Sequence, residues 1–478
     1  MFYGQDCQIA LGMYVSHKYP IFQGVRQGSV LSTSLFLIYV NDLFKEMETS
    51  NAGCYIGSLF VGSPSLADDI SILAPTRTTC QKLLDIVCAY CSNWRLQLSA
   101  SKSKLLVFGE SKRERHCQHN LLLYNTPVPE AESITIVGMQ ITNTLSSFDR
   151  TLCASKKARR LINSLRSVGI GPHGLNPILS CEVWKRVCLP AAFHACELWS
   201  LTKTELVMLE KSQRYAAKIM QGFPIRTATD FALSTLGLIS IEAYIDKCKL
   251  LFFGNLCNCN IFSTRKCIFL HRLFEFKLSS TEKPLGFIAD TVKILSKYDL
   301  TCFLDEFCAS GYFPPKSIWK TIVKDAIHEN ENNCWRQRLE SRDDMLVYSR
   351  LHTKLAPFHL YTYLRTFPER RQIVYSIMKL LALPRNEVCF KCQDTVDDVL
   401  THLLTSCRQT TMARDSFWNA LFDKMSITVS ATLYNLNDID FIANILGDNI
   451  YTINYQESGE QATLLEIVLD FVQMCLEN

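Results

Sequence analysis

The hydrophobic pattern of the chain changes near residue 146, and this change limits the fold more than any other feature. Before that point, short β-prone runs alternate with helical patterns; the β-prone runs are residues 54–61, 70–73, 105–108 and 134–137. Helices are predicted from residue 29 to about 47 and over 79–96, where apolar residues recur every three or four positions. Residues 113–131 are polar and contain two prolines, which predicts a loop. Beyond residue 146 the pattern is mostly helical, so the fold is predicted to be α+β.

The composition is that of a globular protein. With 478 residues, 48% of them hydrophobic, and a net charge of only +4, the chain has room for two to four domains and is not largely disordered. The longest apolar stretch near the start, residues 35–40, is far shorter than the roughly 20 residues of a bilayer-spanning helix. Asp6 and Gln8 interrupt any secretory signal, and 21 scattered cysteines indicate reduced thiols. We therefore expect an intracellular protein without a membrane partner.

An acidic pair, Asp68 and Asp69, is the first candidate site. Leu66, Ala67 and Ile70 flank it with apolar, β-prone side chains, which predicts two strands joined by a tight turn with both carboxylates at its tip. Mg²⁺ prefers oxygen ligands, and adjacent carboxylates near nucleotide phosphates are the beginning of a two-metal phosphoryl-transfer site. Taken alone, the pair is more typical of a solvated turn, because Asp is common in turns.

A glycine-bounded loop is the second candidate. Gly24 and Gly28 enclose Arg26 and Gln27 directly before the first predicted helix. Such a loop can present backbone N–H groups and both side chains to a phosphate or a base edge. In isolation, an ordinary turn is the better interpretation.

Two lysines form the third candidate. Lys102 and Lys104 lie one residue apart at the start of the strand predicted over 105–108. Side chains at this spacing on a strand point the same way, which suits contact with phosphates. The alternative is a solubilising loop.

The order of these segments, with Ile136-Val137-Gly138 behind them, favours one interpretation. The chain resembles the reverse transcriptases of non-LTR (LINE-type) retrotransposons, which carry a Gly-Val-x-Gln-Gly loop, an Ala-Asp-Asp hairpin, an Asn-x-x-Lys-x-Lys segment and an aromatic-Leu-Gly strand in this order. The corresponding segments here are residues 24–28, 67–69, 99–104 and 136–138. Four short motifs in the family's order make coincidence a poor explanation.

The resemblance implies RNA-directed DNA synthesis by two-metal phosphoryl transfer, with Mg²⁺ or Mn²⁺ as cofactor. The partners would be an RNA template, a DNA primer and deoxynucleoside triphosphates, and the family is found in the nucleus and the cytoplasm. Asp68 and Asp69 would hold the metal, and residues 24–28 would shape the pocket for nucleotide and template. Lys102 or Lys104 would neutralise phosphate charge, and Gly138 would let its strand pass close to the primer grip.

A basic helix follows at the position where the family's thumb begins. Its apolar face consists of Ala158, Leu161, Ile162, Leu165 and Val168, and the helix ends before Gly169. Its basic face consists of Lys156, Lys157, Arg159, Arg160 and Arg166. The resemblance implies that this face holds the template-primer backbone; from charge alone, a solvated outer face explains it equally well.

The sequence also departs from the family. A two-metal polymerase needs a third carboxylate on a strand well before the glycine loop, and here Asp6 is the sole carboxylate before Gly24, in surroundings that do not match. Loss of a metal-bridging ligand removes charge stabilisation from the transition state. We therefore expect a reverse transcriptase truncated at its N-terminus and inactive as a polymerase. The alternative is a non-catalytic RNA or DNA binder that uses the thumb and a zinc module.

The zinc candidate is a set of three thiols and one imidazole, Cys389, Cys392, His402 and Cys407. Their spacing suits tetrahedral Zn²⁺, and many non-LTR elements end with a similar Cys-Cys-His-Cys module. The closed set predicts a structural ion, with nucleic-acid contacts left to neighbours such as Lys391, Arg408 and Arg414. A rival set, Cys257, Cys259, Cys267 and His271, lies among apolar residues and is better explained by buried thiols.

Four regions are predicted in all. They are a partial palm over residues 1–145, a helical thumb-like region over 146–280, a helical connector over 281–380, and a C-terminal zinc module with a terminal helix over 381–478.

Overall fold

The computed structural model describes residues 5–22, 24, 28–109, 120–278, 286–383, 387–455 and 459–477. The chain forms two compact units. The first unit consists of Met1–Ser146 with Asn260–Leu278, and the second of Ser147–Cys259 with Ser279–Asn478. Helices predominate, and the strands are few and short, in agreement with the predicted α+β class.

In its described residues, the first unit contains twelve short strands and four helices. The strands are β1 (Gln5–Cys7), β2 (Ala10–Leu11), β3 (Tyr14–Val15), β4 (Tyr19–Ile21), β5 (Tyr55–Ile56), β6 (Leu59–Phe60), β7 (Ser65–Leu66), β8 (Asp69–Ile70), β9 (Leu122–Leu123), β10 (Thr126–Pro127), β11 (Ser133–Ile136) and β12 (Met139–Thr142). The helices are α1 (Ser32–Tyr39), α2 (Asn41–Thr49), α3 (Arg77–Asn93) and α10 (Thr264–Leu278). All described strands pair antiparallel and two by two, β1 with β4 and the others with their neighbours in sequence.

The core of the first unit lies between α2 and α3. It consists of Leu43, Met47, Ala52, Leu83, Val87, Tyr90 and Cys91. Helix α3 begins with a capping box, in which the Thr79 N–H donates to the Thr76 hydroxyl at 3.2 Å. This cap satisfies donors that the first helical turn leaves free. The core fixes the position of the short strands, because Ile70 and Ile72 pack against it.

Several boundaries in the first unit differ from the prediction. The helix predicted over 29–47 is two helices, α1 and α2, separated at Val40; α2 buries Leu43 and Met47, whereas α1 buries none of its residues. The strand predicted over 105–108 is wrong, since only Leu105 pairs, with Glu130. The Leu105 N–H donates to the Pro129 carbonyl at 2.9 Å and the Leu105 carbonyl accepts from the Ala131 N–H at 2.8 Å, and the ladder does not continue among the described residues. Residues 113–119 of the loop predicted over 113–131 lie outside the described residues, and the prediction is wrong for β9 and β10, which form a hairpin.

The described part of the second unit is helical apart from one hairpin. Its helices are α4 (Phe148–Ser164), α5 (Pro177–Val183), α6 (Leu189–Ala192), α7 (Lys203–Gln221), α8 (Thr229–Ser234), α9 (Ile241–Cys257), α11 (Phe287–Lys297), α12 (Thr301–Ser310), α13 (Lys316–Glu340), α14 (Leu346–Leu351), α15 (His359–Tyr363), α16 (Arg371–Leu381), α17 (Val399–Thr405), α18 (Thr411–Lys424), α19 (Ile427–Tyr434), α20 (Asp438–Leu446) and α21 (Glu460–Glu477). The hairpin pairs β13 (Glu387–Val388) with β14 (Thr395–Val396). One hydrophobic core extends from α4 to α21.

Helix α4 packs on α7, and the predicted amphipathic pattern places it there. Ala158 and Ile162 are buried, as predicted, and the Ser155 and Ser212 hydroxyls form a buried hydrogen bond of 2.7 Å between the two helices. The prediction for Val168 is wrong, because its side chain is 68% exposed. The α-helix ends at Ser164 and a 3-10 turn follows, so the 3.6-residue period no longer holds at residue 168.

None of the helices that the structure describes is both long enough and apolar enough to span a membrane.

Candidate functional site

The acidic pair lies at the end of a β-hairpin, as its flanking residues predict. Leu66 pairs with Asp69 and Ser65 with Ile70, so Ala67 and Asp68 form the two-residue turn. Ala67 has a φ of +53°, a conformation that hairpin turns of this length need and that a small side chain tolerates better than a branched one. Both carboxylates are exposed at the tip. The arrangement therefore presents two oxygen ligands to solvent from a short, fixed turn.

The base of this hairpin is held by the rest of the first unit. The Leu73 N–H donates to the Gly62 carbonyl at 2.8 Å, and the Cys54 N–H donates to the Leu73 carbonyl at 3.0 Å. Because Ile70 also packs against the core, the chain leaving Asp69 is fixed on one side by hydrogen bonds and on the other by apolar contacts. The turn that carries the two carboxylates is thus held in place by the surrounding structure, as a metal site requires.

A third ligand does not join the pair in the part of the chain that the structure describes. There, a single set of three or more His, Cys, Asp or Glu side chains is close enough to share an ion, and it is the C-terminal cysteine set. Asp6 lies on β1, opposite Pro20 of β4, and is exposed.

The other polymerase candidates of the first unit lie in turns. Gly24 and Gly28 both have positive φ angles, +90° and +79°, which favour glycine, whereas Arg26 and Gln27 lie outside the described residues. Gly138 follows Val137 in the two-residue turn between β11 and β12, and its φ is +78°. It is therefore a turn residue, and the strand placement implied by the resemblance is wrong.

The two lysines also lie outside a strand. The Lys102 N–H donates to the Ser99 carbonyl at 3.2 Å, which closes a turn, and Lys104 follows in irregular chain. Both side chains are exposed. The strand geometry that would point them the same way is absent from this described segment, so only their exposure and charge favour phosphate contact.

The basic face of α4 is exposed, as predicted. Lys156, Lys157, Arg159 and Arg160 all lie on the solvent side, and none forms an ion pair with a carboxylate among the described residues. The Arg159 guanidinium lies 5.3 Å from the centre of the Tyr215 ring on α7, a cation–π distance that restricts its position. Four cations over a turn and a half of helix give a local positive surface that the global charge does not show.

The C-terminal cysteine set converges on one point. The Sγ atoms of Cys389, Cys392 and Cys407 and a ring nitrogen of His402 all lie within 4.8 Å of one another. The His402 Nε2 faces the cluster at 3.2 Å from the Cys392 Sγ, and its Nδ1 lies 3.1 Å from the Ser406 hydroxyl. Zinc bonds of about 2.3 Å to sulfur place tetrahedral ligands nearly 4 Å apart, so the set fits a zinc ion.

Local structure explains why these four side chains meet. Cys389 and Cys392 lie in the turn of the β13–β14 hairpin, where the Cys389 N–H donates to the Asp394 carbonyl at 2.9 Å. Asp398 caps α17 by accepting from the Thr401 N–H at 2.6 Å, and α17 carries His402 back toward the turn. The Ser406 contact matches the partner that zinc-bound histidines commonly have on their second nitrogen.

Two of the cations expected to contact nucleic acid instead hold this set together. Arg414 donates to the Cys407 carbonyl at 2.7 Å, and Arg408 donates to the Cys392 carbonyl at 3.3 Å. Lys391 lies over the Phe390 ring at 5.9 Å. From the rival set, His271 lies 3.5 Å from Glu275 on its own helix.

A buried polar cluster was missed by sequence reasoning. Asp448 lies 3.1 Å from His352 Nδ1 and 3.6 Å from His359 Nδ1, and it accepts from the Thr353 N–H at 2.9 Å. Burial alone would raise the pKa of Asp448, but the hydrogen bonds from His352 and Thr353 outweigh it and hold this pKa well below its usual range. Burial lowers the pKa of His359, and the nearby Asp448 carboxylate only partly opposes that shift. No local motif joins residues so far apart in sequence, so the pattern gave no signal.

The comparison with protein families agrees with the order of the motifs. Residues 6–141 match the family described as reverse transcriptase (RNA-dependent DNA polymerase). The match includes the Asp68–Asp69 hairpin, the glycine loop, both lysines and Gly138, and it supports a reverse transcriptase. No curated protein matches the chain.

Proposed function

We propose that this protein is the reverse transcriptase of a non-LTR retrotransposon, and that it acts on an RNA template, a DNA primer and deoxynucleoside triphosphates. The observation that carries the proposal is the exposed Asp68–Asp69 pair on its fixed hairpin, within the stretch that matches the reverse transcriptase family. Nucleus and cytoplasm are the compartments that this origin would require.

In this proposal each group has a defined chemical task. Asp68 and Asp69 hold Mg²⁺ or Mn²⁺, which supplies charge stabilisation for the phosphoryl group in transfer. Lys102 and Lys104 neutralise phosphate charge from their exposed turn, and residues 24–28 contact nucleotide and template. In the second unit, the basic face of α4 contacts the phosphate backbone of template and primer, since exposed and unpaired cations favour this sequence-independent contact.

Catalysis in this proposal requires a third carboxylate at the metal pair. Among the described residues the pair has no such neighbour, which favours a second candidate function. In that candidate the chain binds RNA or DNA through α4 and the cysteine module and synthesises little or no DNA.

Primer extension separates the two candidates. The purified chain is given an RNA template with an annealed DNA primer and Mg²⁺ or Mn²⁺, beside the double variant Asp68→Ala/Asp69→Ala. Asp85→Asn, an exposed carboxylate on α3, is the matched control. If the chain is an enzyme, the double variant should lose at least about 10³-fold of the rate, equivalent to about 4 kcal/mol of transition-state stabilisation, and the control should not.

A different result would support the binding candidate. If neither the parent nor the control extends the primer, while both retard the template in a gel, the chain binds nucleic acid without polymerising. Extension that persists in the double variant would contradict the assignment of Asp68 and Asp69 as metal ligands.

We also propose that Cys389, Cys392, His402 and Cys407 hold a structural zinc ion. Four protein ligands leave no open position for a substrate, which is typical of structural rather than catalytic zinc. The ion supplies folding free energy to the β13–β14 hairpin and α17, while Arg408 and Arg414 fix the ligand-bearing backbone.

A further inference from the structure

An open groove of about 820 Å³ lies in the second unit, away from every residue assigned above. One wall is α5 with the residues on either side of it. The other wall is formed by Leu364, Arg365, Pro368 and Arg371, where α15 ends and α16 begins.

The first wall exposes a regular apolar stripe. Leu175, Leu179, Val183 and Val187 follow one another at intervals of four residues, and three of them are 38%, 46% and 53% exposed at positions 175, 179 and 187. Leu179 and Val183 lie one helical turn apart on α5, Leu175 precedes this helix, Val187 lies in the turn that follows it, and all four line the groove. Three large apolar side chains so exposed in one groove mark an interaction surface more often than isolated ones do.

The backbone of this wall is also unusual. Trp184–Cys188 forms a π-helical turn directly after α5. Such turns are rare and are frequent at functional sites, because they change the direction of the side chains that follow. Here the turn carries Arg186 and Val187, both exposed, at the groove. Asn176 holds the other end of α5, since its side chain accepts from the Ile178 N–H and donates to the Tyr361 carbonyl at 2.9 Å.

The rim of the groove is positive. Arg186, Arg365 and Arg371 line it, and the one lining carboxylate, Glu182, is already paired with Arg186 at 2.9 Å. Arg365 and Arg371 form no ion pair with a carboxylate among the described residues, and the buried Nε of Arg371 has no hydrogen-bond partner there.

We propose that this groove binds an acidic amphipathic helix of a partner protein. The apolar stripe would receive side chains at i, i+4 and i+7 of that helix, which is the usual mode of helix-in-groove recognition. Glutamate or aspartate beside the stripe would pair with Arg365 and Arg371. Nucleic acid is the less suitable occupant, because the groove offers no aromatic side chain on which a base could stack.

A synthetic helical peptide tests the proposal with the full chain. The fluorescein-labelled probe carries leucine at i, i+4, i+7 and i+11 with glutamate on both flanks, and a second probe replaces each glutamate with lysine. Fluorescence anisotropy should show binding of the acidic probe, at least tenfold weaker binding to Leu179→Glu and to Arg365→Glu, and no binding of the lysine probe. Val207→Glu on α7 is the matched control, because Val207 has the same 46% exposure as Leu179.

Other outcomes would overturn the proposal. Equal binding of the lysine probe and the acidic probe would refute the charge preference. Equal affinity of the acidic probe for Leu179→Glu and Val207→Glu, or no binding to the parent, would refute the groove as its site. If Leu179→Glu and Arg365→Glu weaken the binding of a labelled single-stranded RNA and Val207→Glu does not, the groove would be assigned to nucleic acid instead. Circular dichroism melting of each variant confirms that the fold persists, since the exposed Leu179 is not a core residue.

Discussion

Removal of one zinc ligand should unfold the C-terminal module locally. Cys389 is fully buried among Cys392, Cys407, Val399 and Leu403, and its thiol is one of the four converging ligands. The serine in Cys389→Ser is a poor zinc ligand and leaves a hydroxyl in this apolar site. We expect the variant to lose the bound zinc and the order of residues 387–407.

The magnitude follows from what holds the module together. Residues 389 to 398 contain no helix, and ordering these ten residues costs roughly 10–20 kcal/mol of conformational entropy, at about 1–2 kcal/mol each. Burial of Val399 and Leu403 returns only about 3–6 kcal/mol. The remainder, about 4–17 kcal/mol, overlaps the roughly 10–16 kcal/mol that structural zinc supplies to small folds.

Two measurements check this prediction together. Mass spectrometry of bound metal should give one zinc per parent chain and less than about a tenth of that in Cys389→Ser, and hydrogen exchange should show lost protection over 387–407 only. Cys188→Ser is the matched control, because Cys188 is equally buried but lies in the main core. A parent chain without zinc, or a Cys389→Ser variant with full zinc and unchanged protection, would refute the assignment.

Two further predictions concern the second unit. Burial lowers the pKa of His359 in the folded protein, so below about pH 6.5 this imidazole binds a proton more readily in the unfolded chain. The free energy of unfolding should therefore be highest above this pH and should fall as the pH falls. The pKa of Asp448 is also lowered, so this carboxylate adds a loss of stability in the same direction below about pH 4. Urea melts at pH 7.5 and pH 5.5 should show a smaller difference in unfolding free energy for His359→Gln than for the parent. An equal difference in the two proteins would contradict the assignment. The double variant Lys156→Glu/Arg160→Glu should weaken RNA binding and reduce the slope of log affinity against log salt concentration by about two. Fluorescence anisotropy from 50 to 200 mM salt measures this slope. An unchanged slope would show that α4 does not contact phosphates.

Local features of the fold were predictable, and long-range ones were not. The hairpin follows from apolar, β-prone residues on both sides of Asp68 and Asp69, so it could be predicted without its neighbours, although its turn lies one residue earlier, at Ala67 and Asp68. The cysteine set was predictable because its four ligands lie within twenty residues of sequence. Residues 105–108 show the limit, since their apolar composition predicts a strand but only Leu105 has a pairing partner, Glu130.

Apolar periodicity also does not distinguish a buried face from an exposed one. Leu161 and Val168 belong to the same predicted stripe, yet Val168 is exposed because the helix tightens after Ser164. The stripe of the groove has the same regular spacing and is largely uncovered. Only the packed structure shows which stripe has a partner, and the same holds for His352, His359 and Asp448, which are brought together from three separate segments.

The discontinuity of the first unit has a consequence for synthesis of the chain. Helix α10 belongs to that unit and buries Phe269 and Leu273, but it follows residue 146 by more than a hundred positions. A ribosome adds about 5–20 residues per second, so roughly 6–25 s pass between the emergence of the first 146 residues and that of α10. The first 146 residues are therefore translated before the last helix of their unit exists, and the unit can complete its fold only after α4 to α9 of the second unit have been made.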